Sequence, residues 1–304
     1  MTIRRMDMKK EKNTEILSPG ARVVRWVLSI ILMIYTGITI FALSITVMDS
    51  LKSKGDIVTN FVGFPKQLTM ESYFRVLKEA NLLLYLKNSV VLTVGGTLGC
   101  ILLAGLTAYG ISRFDFKGKN FLSGYFLMGM MVPVQVSVLP LFLILKRIGL
   151  LNNIFGMMLV YASGISMACF IFQKFFHTIP VALEESARID GAGDFRIFFQ
   201  IIAPLCKPVV MTVALITAIS QWNDFYMPMV LLGKKTSNTL TLVIYQYIGQ
   251  FTKYMSESMA AVVITLIPVI VLYFLSVSYT HLTSELERGT VVEYRLPAKG
   301  EESK

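Results

Sequence analysis

The residue types that most often do chemistry are sparse in this sequence and rarely spaced to act together. There are two histidines in 304 residues, His177 and His281, and neither has companions at metal-ligand spacing. The three cysteines, Cys100, Cys169 and Cys206, sit in or beside apolar runs, which is the pattern of buried, inert thiols. No Ser/His/Asp or Cys/His arrangement falls on a pocket-forming element. No G-x-x-x-x-G-K-[ST] string is present to cradle a nucleotide's phosphates. These patterns predict a chain that is not an enzyme and that holds no catalytic residue, metal or cofactor. What remains are isolated polar groups in apolar surroundings: Gln135 between Pro133 and Pro140, and the run Trp222-Asn223-Asp224.

Those groups must be positioned by membrane helices. Hydrophobic residues make up 54% of the chain and charged ones 16%, against about 25% charged in a soluble domain. Mean hydropathy is +0.62. A helix needs about 20 apolar residues to cross the hydrocarbon core. Six segments qualify, at 26–48, 88–112, 120–145, 154–173, 209–232 and 259–282. The fold expected is therefore an all-α integral membrane protein with about six transmembrane helices. The polar first 20 residues followed by a long apolar run read as a retained first span, not a cleaved signal. Asp224 is the only formal charge inside an expected span, which makes it a functional candidate by default; a structural cap or interhelical hydrogen bond is the other reading. Trp222 could stack on a ligand or pack at the membrane interface, and Gln135 could line a cavity or bond a neighbouring helix.

The net charge of +10 has a bland explanation. Lysines and arginines flank apolar segments and hold loops on the cytoplasmic side. The strongest cluster, Arg4, Arg5, Lys9, Lys10, Lys12, Arg22 and Arg25, precedes the first span. This places both termini in the cytoplasm, and no basic helix interleaved with aromatics points to nucleic acid. The expected layout is a cytoplasmic segment 1–22, a membrane domain 23–282 and a cytoplasmic tail 283–304. On the outer side, the stretch 49–87 is polar, with a turn at Gly63-Phe64-Pro65 and a helix start at Thr69 and Glu71.

The cytoplasmic loop 177–208 carries the strongest pattern. Pro180 suits a helix start. Leu183 and Ala187 share a face, and Glu184 is spaced to reach Arg188. Gly191 and Gly193 stop the helix and permit positive φ. Phe195, Phe198, Phe199 and Ile202 then recur on one helical face, and Pro204 and Pro208 bend the chain into the fifth span. Such a loop is structured; it could bind a protein or lie on the bilayer.

The loop resembles the coupling loop of ABC importer permeases, whose pattern is E-A-A, three residues, G, nine residues, I-x-L-P. Glu185, Ser186 and Ala187 stand at E-A-A, Gly191 at the glycine, Ile201 at the isoleucine and Pro204 at the proline; Ser186 and Ala203 depart from it. Leu183 to Ala192 reads LEESARIDGA, close to the carbohydrate branch's L-E-E-A-A-x-I-D-G-A. Trp222, Asn223, Asp224, Phe225 and Pro228 resemble that branch's W-N-D/E-F-x-x-P element, and Asn88-Ser89 and the stretch from Gly149 to Asn153 fit as well. The last 30 residues lack the basic, glycine-containing tail of the family.

The resemblance implies the type I ABC importer permease fold and a maltose-type sugar importer in a bacterial cytoplasmic membrane. It implies a second permease, giving a heterodimer, with two ATP-binding cassette subunits that use ATP and magnesium, and an extracellular binding protein. A helix from Val181 to Asp190 would seat in the ATPase. Glu184 and Glu185 would face it, Ser186 and Ala187 would allow close approach, and Gly191 would make the corner beside Asp190 and Ala192. Phe195, Phe198 and Phe199 would anchor the loop to the permease. Gln135, Trp222, Asn223 and Asp224 would border the translocation path. A permease for another small polar solute, or a self-contained secondary transporter, is the alternative.

Overall fold

The computed structural model describes residues 19–79, 81–248, 254–271 and 273–274, and all regular structure among them is helical. The first helix, α1 (Pro19–Ser50), carries no charged residue from Trp26 to Met48 and keeps almost no side chain buried before residue 45. Its hydroxyls serve themselves: Ser29, Thr39, Ser44 and Thr46 each donate to the carbonyl four residues back. That arrangement suits lipid, where no water completes a hydroxyl's bonding.

Two short helices follow, α2 (Lys54–Thr59) and α3 (Glu71–Glu79). The expected helix start is present, with the Glu71 amide donating to Thr69 Oγ1. The polar segment between the first two long helices is built around charges. Lys52 is fully buried and paired with Asp49 at 2.6 Å. Its ammonium also donates to the carbonyls of Asn60 and Phe61. Glu257, far along the chain, pairs with both Lys54 and Arg75.

The centre of the fold is α4 (Leu82–Arg113). It packs against α7 (Ile154–Ser163), α8 (Ser166–Phe176) and α11 (Lys207–Asn223). Small residues make these approaches possible. A Cβ at Gly99 would stand 2.7 Å from the Ala162 methyl, and one at Gly96 would meet Tyr161 and Gln221. Cys100, Cys169 and Cys206 are all buried free thiols in the core at the loop end of this bundle.

Among the described residues two helices, α1 and α4, are long and apolar enough to cross a membrane unbroken, and three bent pairs qualify if each pair counts as one span. The expected span 120–145 is broken. Its halves, α5 (Lys119–Met131) and a stretch that ends in α6 (Val138–Arg147), meet at 99°. The cause is local: Pro133 forces Val132 out of helical geometry, to ψ 121°, and removes a donor. The pair α7 and α8 bends by 42° at Gly164 and Ile165. The expected span 209–232 ends early, at Asn223, and resumes as α12 (Tyr226–Leu231). Pro228 has no N–H to offer the carbonyl of Asp224 four residues back, so the helix cannot run through. Asp224 thus sits at a helix break, not inside a span. The chain continues through α13 (Leu240–Ile248) and α14 (Met255–Val271). Most of the first 22 residues, the end of the expected span 259–282, His281 and the tail 283–304 lie outside the described residues.

Candidate functional site

The loop between α8 and α11 holds the short helix α9 (Ala182–Ile189), flanked by Val181 and Asp190 as caps, which matches the expected 181–190. It ends as a Schellman motif. The Gly191 amide donates to Arg188 O and the Ala192 amide to Ala187 O. Gly191 has φ +81°, a conformation that side chains resist. Gly193 does not share it: its φ of −75° is open to any residue, so only one of the two glycines is required by the backbone.

The two faces of α9 differ from the expectation at one residue. Glu185, Ser186, Ile189 and Asp190 are exposed, and Ile189 is 86% exposed. Glu184 is 1% exposed and points inward, so it does not face a partner. Its Oε1 lies 2.6 Å from Arg113 Nε, and its Oε2 accepts from Tyr109 OH at 2.9 Å. Arg188, the expected partner, reaches Glu184 at 4.0 Å and pairs more closely with Asp194, at 3.2 Å. Ala187 is buried in the chain's own core with Tyr109, Phe176 and Phe198. Its small size therefore permits close approach to the bundle, while Ser186 faces out.

The helix α10 (Asp194–Leu205) also departs from the simple 3.6-residue face. Ile197, Phe198 and Ile202 are buried, but Phe195 is 77% exposed and Phe199 is half exposed. A π turn over Phe198–Ile202 explains the shift. The Ala203 amide bonds Phe198 O, five residues back. Pro204 cannot accept a normal helical register against the carbonyl of Gln200, so the turn widens before it and rotates the buried face. Only Phe198 of the three phenylalanines anchors the loop. After Cys206 the chain turns by 79° into α11.

The second feature is a cavity of about 820 Å³ beside α11. Gln135, Asn223 and Asp224 share its wall. Trp222 does not: it is 3% exposed and packs with Val76, Leu82, Tyr85 and Leu240 on another side of the helix. It has no face to offer a ligand in this cavity. The sequence reading missed Thr217, Ser220 and Gln221, which also line it. With Asp224 they recur at i, i+3, i+4 and i+7, a polar stripe in an apolar helix that period counting could have found.

Asp224 is fully engaged. Its Oδ2 accepts from Tyr161 OH at 2.9 Å, and its Oδ1 accepts from the amides of Tyr226 and Met227 at the start of α12. Asp224→Ala should thus lower the melting temperature of the detergent-solubilised protein, through a loss of about 1–3 kcal/mol from three stranded donors. Asp224→Asn, which keeps one acceptor oxygen, should lose less. An unchanged melting curve with diminished uptake would reverse this assignment and make Asp224 a substrate contact. Among the described residues no three His, Cys, Asp or Glu side chains cluster as a metal site.

The bent spans, the angled loop and the cavity bordered by Gln135, Asn223 and Asp224 suit a membrane transport permease. Residues 100–283 match the family of binding-protein-dependent transport system inner membrane components, and the chain belongs to that family. It is 31% identical over 263 residues to the diacetylchitobiose uptake system permease protein NgcG of Streptomyces coelicolor, covering 86% of each chain. It is likewise 31% identical to the multiple sugar-binding transport system permease protein MsmG of Streptococcus mutans, covering 82% of this chain and 90% of that one. Among solved structures, a chain of a bacterial ABC transporter involved in import of the acidic polysaccharide alginate has the same fold. Its TM-score is 0.76 at 24% identity, over 88% of this chain and 99% of that chain.

Proposed function

We propose that this chain is one permease subunit of an ATP-driven importer of sugars or oligosaccharides. It forms half of the membrane path beside a second permease. Two separate ATPase subunits bind ATP and magnesium and supply the energy; the chain itself binds no cofactor. An extracellular protein delivers the solute. About six spans cross the bacterial cytoplasmic membrane with both termini inside, so that residues 1–22, the loop 177–208 and the tail 283–304 face the cytoplasm. The sugar class is supported by the relatives, which are described as permeases for diacetylchitobiose and for multiple sugars. The delivering protein is supported by a second related structure, an alginate transporter in complex with an alginate pentasaccharide-bound periplasmic protein.

The observation that carries the coupling role is the outward face of α9. Glu185 and Ser186 flank an almost bare Ile189, and Phe195 stands exposed beyond the Gly191 corner. Large apolar side chains on a rigid, polar-rimmed turn fit a groove in another protein. A cysteine at Ile189 tests this. The three native thiols are buried, so a crosslinker with one thiol-reactive and one photoreactive end attaches to this chain at the new position alone. In membranes holding the whole transporter, Ile189→Cys should be captured on an ATPase subunit. No capture at any nucleotide state would end the docking assignment.

A further inference from the structure

We propose that Arg113, Glu184 and Tyr109 form a positioning clamp that ties α9 to the end of α4, so that a displacement of one is passed to the other. The proposal rests on the docking reading of α9 and deepens it by naming the parts that carry the motion inward.

Within α9 only two side chains are buried, Glu184 and Ala187. A methyl group gives little purchase, so Glu184 is the one long arm this helix extends into the bundle. That arm ends on α4, the helix around which α7, α8 and α11 pack. Arg113 closes α4 and is itself nearly buried. Its Nη2 donates to Ile179 O at 2.8 Å, in the strand of chain leading into α9. One guanidinium therefore holds both the approach to α9 and the helix itself. Tyr109, one turn back on α4, grips the other carboxylate oxygen, and its ring is fixed edge-on by Phe114 and Phe176 and tilted against Phe198.

The character of the contact matters. Arg113 Nε and Glu184 Oε1 are close, but the N–H does not point along the line between them, so neither atom has an aligned hydrogen bond. The charges neutralise each other without the bidentate fork that would lock one geometry. Two opposite charges out of water strongly resist separation yet tolerate small rotations about each other. That is the behaviour of a joint. A displacement of α9 pulls on the α4 terminus, while the angle between the helices stays free to change.

The test separates transmission from stability. A purely structural role would lower the amount of assembled transporter and reduce ATP hydrolysis and uptake in parallel. The clamp predicts a split. In proteoliposomes with sugar-loaded binding protein, Glu184→Gln should leave ATP hydrolysis close to wild type and lower sugar imported per ATP about tenfold. Tyr109→Phe removes one hydrogen bond and no charge; it should assemble normally and lower the same ratio about threefold. An unchanged ratio in both variants overturns the clamp, as does an unchanged ratio in Tyr109→Phe alone if Glu184→Gln fails to assemble. The Ile189→Cys crosslink, made in each background, keeps the two readings apart. A retained crosslink with an unchanged ratio sinks the clamp alone, and absence of the crosslink in every background sinks the docking reading beneath it.

Discussion

Gly191→Pro is expected to leave a chain that reaches the membrane in normal amount and imports no sugar. The backbone at Gly191 has φ +81°, and proline is fixed near −65°. The substitution also deletes the amide that donates to Arg188 O, one of the two bonds that close α9. The turn must be rebuilt, and α10 then leaves α9 in a different direction. The damage stays local because a Cβ at this glycine meets nothing within 4 Å. Gly191→Ala should be much milder, costing about 1–2 kcal/mol of backbone strain without removing the donor. Glu185→Lys, a charge reversal on the exposed face, should block uptake with the corner intact. Labelled-sugar uptake beside a membrane immunoblot decides the matter; wild-type uptake by Gly191→Pro would show that the corner does not set the position of the docking helix.

The largest loss of stability is expected far from that loop. Lys52 and Asp49 are fully buried against each other, and all three ammonium donors are used, on Asp49, Asn60 O and Phe61 O. Lys52→Met strands a buried carboxylate and should cost about 3–5 kcal/mol. For a chain of this size that is roughly 10 °C in melting temperature. Removing both charges together, as Asp49→Leu with Lys52→Met, should recover most of the loss, because the desolvation penalty disappears with the pair. A thermal melt of the purified protein in detergent checks both variants. If the single variant melts like wild type, water must reach the pair.

The helical class and the loop could be read from the sequence because both rest on periodicity and on residues with special backbones. Apolar runs of 20 residues leave few alternatives to spans, and Pro180, Gly191 and Pro204 punctuate the loop at the places where the chain turns. The breaks at Pro133 and Pro228 were not legible, because a bundle can accept proline inside a span and composition alone gives no measure of how far a proline bends an apolar helix. The direction of individual side chains was less legible. Glu184 reads as a surface residue because its partners, Arg113 and Tyr109, lie some 70 residues earlier, and no local pattern announces a buried pair across that distance. Phe195 and Phe199 read as anchors under a 3.6-residue period, which the π turn breaks. Trp222 reads equally as a ligand platform or a packing residue by type; its neighbours on α4 and α13 place it in a core cluster, off the wall of the cavity that Asp224 borders.

The bareness of α1 has a consequence for how the protein is made. Over most of its length the helix rests on no other described element of the chain, so its partition into lipid owes nothing to segments translated later. Once a ribosome has released α1, it has produced a complete anchor. Synthesis of the remaining helices then proceeds on a nascent chain already tethered to the bilayer, and the search for their packing partners is confined to two dimensions from the start.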